Sequence, residues 1–132
     1  SKLFATGARR EITVTDLASH ESAIAGAGRV LLKTNCWPDS TVFPDWIPVL
    51  AAHAVEWLRE ERVQLLGVDV PSVDPIDAKD LANHRALAAA NIAIIESLDL
   101  TNVDVGVYQF AGLPLKISGG DGAPVRAVLW RD

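Results

Sequence analysis

The chain has 132 residues, of which 49% are hydrophobic and 22% charged, and this composition is ordinary for one soluble globular domain. A net charge of −5 argues against nucleic-acid binding, which needs a clustered basic face. No apolar run reaches the roughly 18 residues of a membrane-spanning helix, so no membrane partner is expected. The single cysteine, Cys36, excludes an internal disulfide and fits a reducing, cytoplasmic location.

Apolar runs that alternate with amphipathic stretches predict an α/β fold with a mixed β-sheet and packed helices. Three short, continuously apolar runs are typical of strands covered on both faces, and helices between them imply parallel neighbours. Near the end, SGGDG predicts the turn of a β-hairpin. In chain order we predict a mixed-charge arm or broken strand (1–12), helix 13–25, strand 29–34, loop 35–48, helix 49–61, strand 63–68, a helix ending near 90, strand 92–95, and hairpin strands 106–117 and 123–130.

The helix boundaries come from capping residues and periodicity. Thr13 or Thr15 is placed to cap the first helix, which the glycines at 26 and 28 end. In the second helix, Leu50, Ala54, Trp57 and Leu58 form one apolar stripe, which should pack on the sheet. We expect Asp77 to cap the third helix, which Asn91 ends.

The loop at 35–48 contains three aromatic residues, Trp37, Phe43 and Trp46. Disordered segments are poor in aromatics, so an ordered loop is expected. Aromatic plugs at the edge of the core are about twice as probable as the alternative, the wall of an apolar substrate pocket.

The chemistry-bearing residues concentrate between positions 63 and 98. A strand there leads into an acidic loop, and the following helix and strand supply His84 and Glu96. Turn formation and helix capping are the default roles of the acidic loop residues, although Asp69, directly after the strand, could orient a metal ligand. The loop residues are Asp69, Ser72, Asp74, Asp77 and Asp80.

His84 and Glu96 could reach the same crevice at the strand ends. Taken alone, His84 is more often a hydrogen-bonded core histidine, and Glu96 is equally compatible with an exposed strand end. Together they form a partial ligand set for zinc, which needs at least three protein ligands. His20 and His53 are predicted to be solvated, and Cys36 to be inert.

Three blocks in order carry a family resemblance: LLGVDVPSVDP, NHRALAAANIAIIESLDL and LPLKISGGDGAPVRAVL. The chain resembles the metal-dependent cyclase-like hydrolases, whose best-known members are bacterial kynurenine formamidases, over roughly residues 12–129. The resemblance implies a swivelling β/β/α fold, a homodimer, and zinc-dependent hydrolysis of N-formyl-L-kynurenine, a small aromatic amide, to L-kynurenine and formate in tryptophan catabolism.

By the same resemblance, His84 and Glu96 are metal ligands, and Glu96 is also catalytic. The family's other ligands belong to an H-x-G-T-H-x-D-x-P segment that this sequence lacks. Since a start methionine is also missing, we expect residues 1–132 to form a single cyclase-like domain that is the C-terminal part of a longer protein, and to be inactive alone.

Two other functions are compatible with the sequence. One is a cyclic-amide hydrolase of the same fold, similar to isatin hydrolases. The other is a non-catalytic, metal-free module for binding or assembly.

Overall fold

The computed structural model describes residues 11–131. Its elements, in chain order, are β1 (Glu11–Ile12), α1 (Val14–Ala18), α2 (Glu21–Ile24), β2 (Arg29–Leu32), β3 (Val49–Leu50), α3 (Ala52–Glu60), β4 (Leu65–Val68), α4 (Ala82–Ala89), β5 (Ala93–Ile95), β6 (Gln109–Pro114) and β7 (Val125–Trp130). Most of the segment predicted as an arm or broken strand (1–12) lies outside the described residues.

The central sheet is parallel, with strand order β2-β4-β5. Leu66 stands at its centre, opposite Val30 on one side and Ile94 on the other. Leu66 is fully buried together with Leu58 of α3 and Leu87 of α4, so sheet and helices share one core. The predicted adjacency of the three apolar runs is confirmed.

The strands are distributed over three sheets in the described part of the chain, instead of the one mixed sheet that we expected. β1 pairs with β3 in parallel, and β6 pairs with β7 as the predicted antiparallel hairpin. The α/β class is confirmed. One face of the hairpin carries Leu113, Val128 and Trp130, each 44–64% exposed.

The segment predicted as one helix at 13–25 forms two short helices, α1 and α2. Thr13 caps α1 through a capping box with Asp16, as predicted. The Ser19 hydroxyl donates a 2.6 Å hydrogen bond to the Asp16 carbonyl, and such local bonds compete with helix continuation. The glycines at 26 and 28 have positive φ and end the segment, as expected.

The helix predicted at 49–61 begins three residues later, at Ala52. Val49 and Leu50 instead pair with β1, where Leu50 stands opposite Ile12. This strand pairing outweighs the helical periodicity, so Leu50 does not belong to the apolar stripe. The buried face of α3 consists of Ala54, Val55 and Leu58, while Trp57 is only partly buried against it. No helix within residues 11–131 combines the length and apolar character needed to cross a bilayer.

Candidate metal centre

The first part of the loop between β4 and α4, residues 70–74, is buried or partly buried and closely bonded. Val70, Val73 and Asp74 are each at most 2% exposed. The Ser72 hydroxyl accepts a 3.0 Å hydrogen bond from the Asp74 amide, a local turn that orients the Asp74 carboxylate. This part of the loop therefore packs against the core, whereas residues 75–81 are mostly exposed.

Asp74, and not Asp77, caps helix α4. Its Oδ1 accepts the Asn83 amide at 2.7 Å and its Oδ2 accepts the His84 amide at 3.1 Å. Asp77 is exposed, and the residue before the helix, Leu81, has left-handed backbone geometry and no capping bond. Sequence proximity favoured Asp77, but the loop folds back and brings Asp74 to the helix end.

The imidazole of His84 lies between two carboxylates. Its Nδ1 is 2.7 Å from Asp74 Oδ2, and its Nε2 is 3.2 Å from Glu96 Oε1. Burial raises the pKa of Asp74, but hydrogen bonds from the Asn83 amide and from His84 outweigh it, so the pKa is below its usual value. Asp74 is therefore an ionised partner for His84 at neutral pH.

Glu96 directly follows β5, and backbone bonds fix this strand end. The Ser97 amide donates to Val70 O at 2.9 Å, and the Leu98 amide donates to Val68 O at 3.0 Å. The Glu96 carboxylate also accepts the Val73 amide at 2.8 Å. The side chains of His84 and Glu96 are 33% and 28% exposed, so both remain accessible to a ligand.

The donor geometry fits two ligands of one metal ion. Tetrahedral ligands at bond lengths of about 2.0–2.1 Å lie about 3.3 Å apart, close to the 3.2 Å between His84 Nε2 and Glu96 Oε1. Asp74 is not a third ligand, because it contacts the opposite ring nitrogen. Among residues 11–131 there is no group of three potential ligands, so the described residues offer two candidate ligands at this position.

The Asp69 carboxylate mainly accepts hydrogen bonds from backbone amides. It accepts the Thr34 and Asn35 amides at 2.9 Å and the Thr34 hydroxyl at 2.7 Å. The expectation that Asp69 orients a metal ligand is therefore wrong, since the carboxylate that contacts His84 is that of Asp74. The sequence around Asp74, an Asp two residues after a Ser, predicts only a turn.

The remaining candidates lie apart from His84. Asp77, Asp80 and His53 are exposed, and His20 is half-buried and lines a different cavity. Burial raises the pKa of the Cys36 thiol, a hydrogen bond with Thr34 lowers it by less than burial raises it, and the nearby Asp69 charge adds a smaller increase. Cys36 is therefore a poor nucleophile at neutral pH.

Two of the three aromatic residues of loop 35–48 do not plug the core. Phe43 is 66% exposed and Trp46 is 37% exposed, while the Trp37 indole donates a 2.8 Å hydrogen bond to Val42 O. The plug prediction is thus wrong for Phe43 and Trp46. A cavity of about 320 Å³ lies between α1, α2 and the hairpin, and its lining includes none of these aromatics, nor His84 or Glu96.

Comparison with known proteins identifies the family. A family model described as Putative cyclase matches residues 3–75, more than half of the chain. The chain belongs to this cyclase family. The matched region includes β4 and Asp74 but stops before His84 and Glu96, so their assignment depends on the geometry above.

Named relatives and solved structures extend the similarity. The chain is 42% identical over 129 residues to a kynurenine formamidase of Bacillus anthracis, covering 93% of this chain and 62% of that protein. It is 41% identical over 104 residues to a kynurenine formamidase of Geobacillus thermodenitrificans, covering 79% of this chain and 50% of that protein. The chain thus spans less than two thirds of these relatives.

Two solved structures share the fold. One is described as a potential metal-dependent hydrolase with cyclase activity, with TM-score 0.79, 29% identity, and coverage of 92% of this chain and 59% of that one. The other, a predicted metal-dependent hydrolase from Bacillus stearothermophilus, has TM-score 0.77, 29% identity, and coverage of 92% and 58%. The cyclase-like fold that the sequence predicted is confirmed.

Proposed function

We propose that this chain carries half of the metal centre of an amide hydrolase that converts N-formyl-L-kynurenine to L-kynurenine and formate, a step of tryptophan catabolism. The observation that carries the proposal is the 3.2 Å approach of His84 Nε2 to Glu96 Oε1, a spacing suited to two ligands of one ion. The kynurenine formamidases among the relatives support this substrate.

In this proposal His84 binds a divalent metal, which we take to be zinc, through Nε2, and Glu96 binds it through its carboxylate. A bound metal supplies a Lewis acid and makes water easier to deprotonate. Glu96 also orients the attacking water and accepts its proton, because a partly exposed carboxylate beside the reacting group can act as a general base. The Val73 amide keeps Glu96 in that position.

The position and composition of the loop 35–48 favour an aromatic substrate. It starts beside Asp69 at the carboxyl end of β2, and the Asn83 side chain joins α4 to Leu50 O, just after the loop, at 3.1 Å. Exposed aromatic side chains near a strand-end crevice offer surfaces on which a flat ring can stack. We propose that Trp37, Phe43 or Trp46 contacts the substrate ring.

The missing ligands are assigned to sequence upstream of Ser1, in keeping with the greater length of the relatives. A metal site for hydrolysis needs at least three protein ligands with one position left open. We therefore propose that the 132-residue chain alone is inactive and that the longer protein is a cytoplasmic homodimer.

The test compares the 132-residue chain with a longer form that includes the upstream sequence. Both are dialysed, analysed for bound metal, and assayed with N-formyl-L-kynurenine and with isatin in the presence of zinc. We expect formate release only from the longer form. Turnover by the 132-residue chain would contradict the incomplete-site proposal.

The same assay separates the alternatives. Preference of the longer form for isatin would indicate a cyclic-amide hydrolase. A longer form without bound metal and without turnover would indicate a binding or assembly module, and would refute the hydrolase proposal.

A further inference from the structure

We propose that Asp74 is a positioning residue that fixes the proton of neutral His84 on Nδ1 and so keeps the Nε2 lone pair directed toward the metal. The tautomer follows from contacts within the chain. Only its consequence for metal binding rests on the proposed function.

The two carboxylates beside His84 compete for the ring proton, and their environments differ. Asp74 Oδ2 approaches Nδ1 to 2.7 Å, whereas Glu96 Oε1 approaches Nε2 only to 3.2 Å. The Asp74 side chain is 1% exposed and that of Glu96 is 28% exposed. A shorter hydrogen bond in a less hydrated environment is the stronger one, so the proton belongs on Nδ1.

This assignment leaves a lone pair on Nε2 facing a carboxylate oxygen at 3.2 Å. Two electron-rich atoms at that distance repel each other unless a cation lies between them. Histidines that bind metals usually donate their other N–H to a carboxylate, which sets the tautomer and the ring orientation. Asp74 supplies that carboxylate.

Asp74 contacts both the His84 ring and the first backbone amides of helix α4. The same Oδ2 that contacts Nδ1 accepts the backbone amide of His84, and Oδ1 accepts the Asn83 amide. One buried carboxylate therefore fixes both the backbone and the ring of His84. Rotating the ring away would leave a charged, buried oxygen with one hydrogen bond fewer, at a substantial cost.

The test reads the tautomer by two-bond ¹H–¹⁵N NMR of the metal-free chain at alkaline pH. The chain has three histidines, and His84→Gln identifies the resonances of His84. We expect a protonated Nδ1 in the wild type and in Glu96→Gln. In Asp74→Ala we expect the proton to move to Nε2, which faces Glu96.

Asp69→Asn is the matched control, because Asp69 also accepts two backbone amides but does not contact His84. We expect it to lower stability without moving the His84 proton. A wild type protonated at Nε2, or a proton that moves in Glu96→Gln, would overturn the proposal even if Asp74→Ala did not fold.

A zinc titration of the longer form by calorimetry adds the second readout. Asp74→Ala should weaken zinc binding about 10–100-fold, the usual effect of removing such a partner, while Asp69→Asn should not change it. Equal zinc affinity in wild type and Asp74→Ala would refute the positioning role. Failure of the formamidase assay would refute the proposed function while leaving the tautomer result intact.

Discussion

The backbone amide of Val73 donates a 2.8 Å hydrogen bond to Oε1 of Glu96, so the loop after β4 fixes a carboxylate at the end of β5. The neighbouring residue, Asp74, contacts the ring of His84. Two consecutive loop residues therefore position both side chains of the candidate centre. Because the Val73 amide needs only an acceptor oxygen, substitutions at Glu96 can separate the loss of this hydrogen bond from the loss of the carboxylate charge.

Glu96→Gln should keep the fold and lose the function. A glutamine oxygen still accepts the Val73 amide, so the free energy of unfolding should change little, while metal binding and hydrolysis by the longer form should fall severely. Glu96→Ala leaves that amide without its partner and should cost about 1–3 kcal/mol. Urea denaturation measures both variants, and equal destabilisation by the two would contradict the role of the Val73 bond.

Leu58→Ala tests the core beneath α3. Leu58 is fully buried, so its truncation should lower the free energy of unfolding by about 2–5 kcal/mol. Trp57→Ala should lower the free energy of unfolding by less than the truncation of a fully buried tryptophan does, because Trp57 is only partly buried. Leu115→Ala is the control, since Leu115 is 61% exposed, and it should have an effect below about 0.5 kcal/mol.

Gly67→Ala tests the close packing of β4. A Cβ at this position would overlap the Leu31 side chain and lie 2.6 Å from Leu98 Cδ1. Both neighbours are side-chain ends that can partly move, so we expect a loss of about 1–3 kcal/mol in chemical denaturation. Gly122→Ala, where no atom lies within 4 Å, serves as the control. Equal stability of the two variants would show that the sheet accommodates the methyl group.

Cys36 gives a pH-dependent prediction. Burial and the Asp69 charge raise its pKa in the folded chain, so the reactive thiolate should form at higher pH than in the unfolded chain, where the midpoint is about 8.5. Alkylation by iodoacetamide, followed against pH with and without urea, measures both midpoints. In Asp69→Asn the folded midpoint should decrease. A folded midpoint at or below the unfolded one would contradict this account.

The sequence was most informative where a pattern has one physical explanation. The apolar runs at 30–32, 65–68 and 92–95 predicted strands, and they form the adjacent strands of the central sheet, although Ala93 is exposed and Ile94 and Ile95 are only partly buried. SGGDG between apolar strands predicted the hairpin. His84 and Glu96 lie together as their positions on the helix and strand indicated. Their role as metal ligands stays a prediction.

The sequence was less informative where distant segments compete with local signals. The pairing of Leu50 with Ile12 joins residues far apart in sequence, and helical periodicity cannot reveal it. Likewise Asp77 stands nearer than Asp74 to the start of α4, but the turn at Ser72 directs Asp74 to the helix. The exchange of roles between Asp69 and Asp74 has the same cause, because both are loop aspartates and only the folded backbone distinguishes them.

The contacts that build the candidate centre close short loops. Val73 and Glu96 are 23 positions apart, and Asp74 and His84 only 10. Closing short loops costs little chain entropy, and all four groups lie between the start of β4 and the residue after β5. The candidate centre should therefore order early during folding, together with this β-α-β segment. The backbone amides of its residues should then be among the slowest in the chain to exchange with deuterated solvent. Any ligand from a distant segment then meets a prearranged histidine and carboxylate.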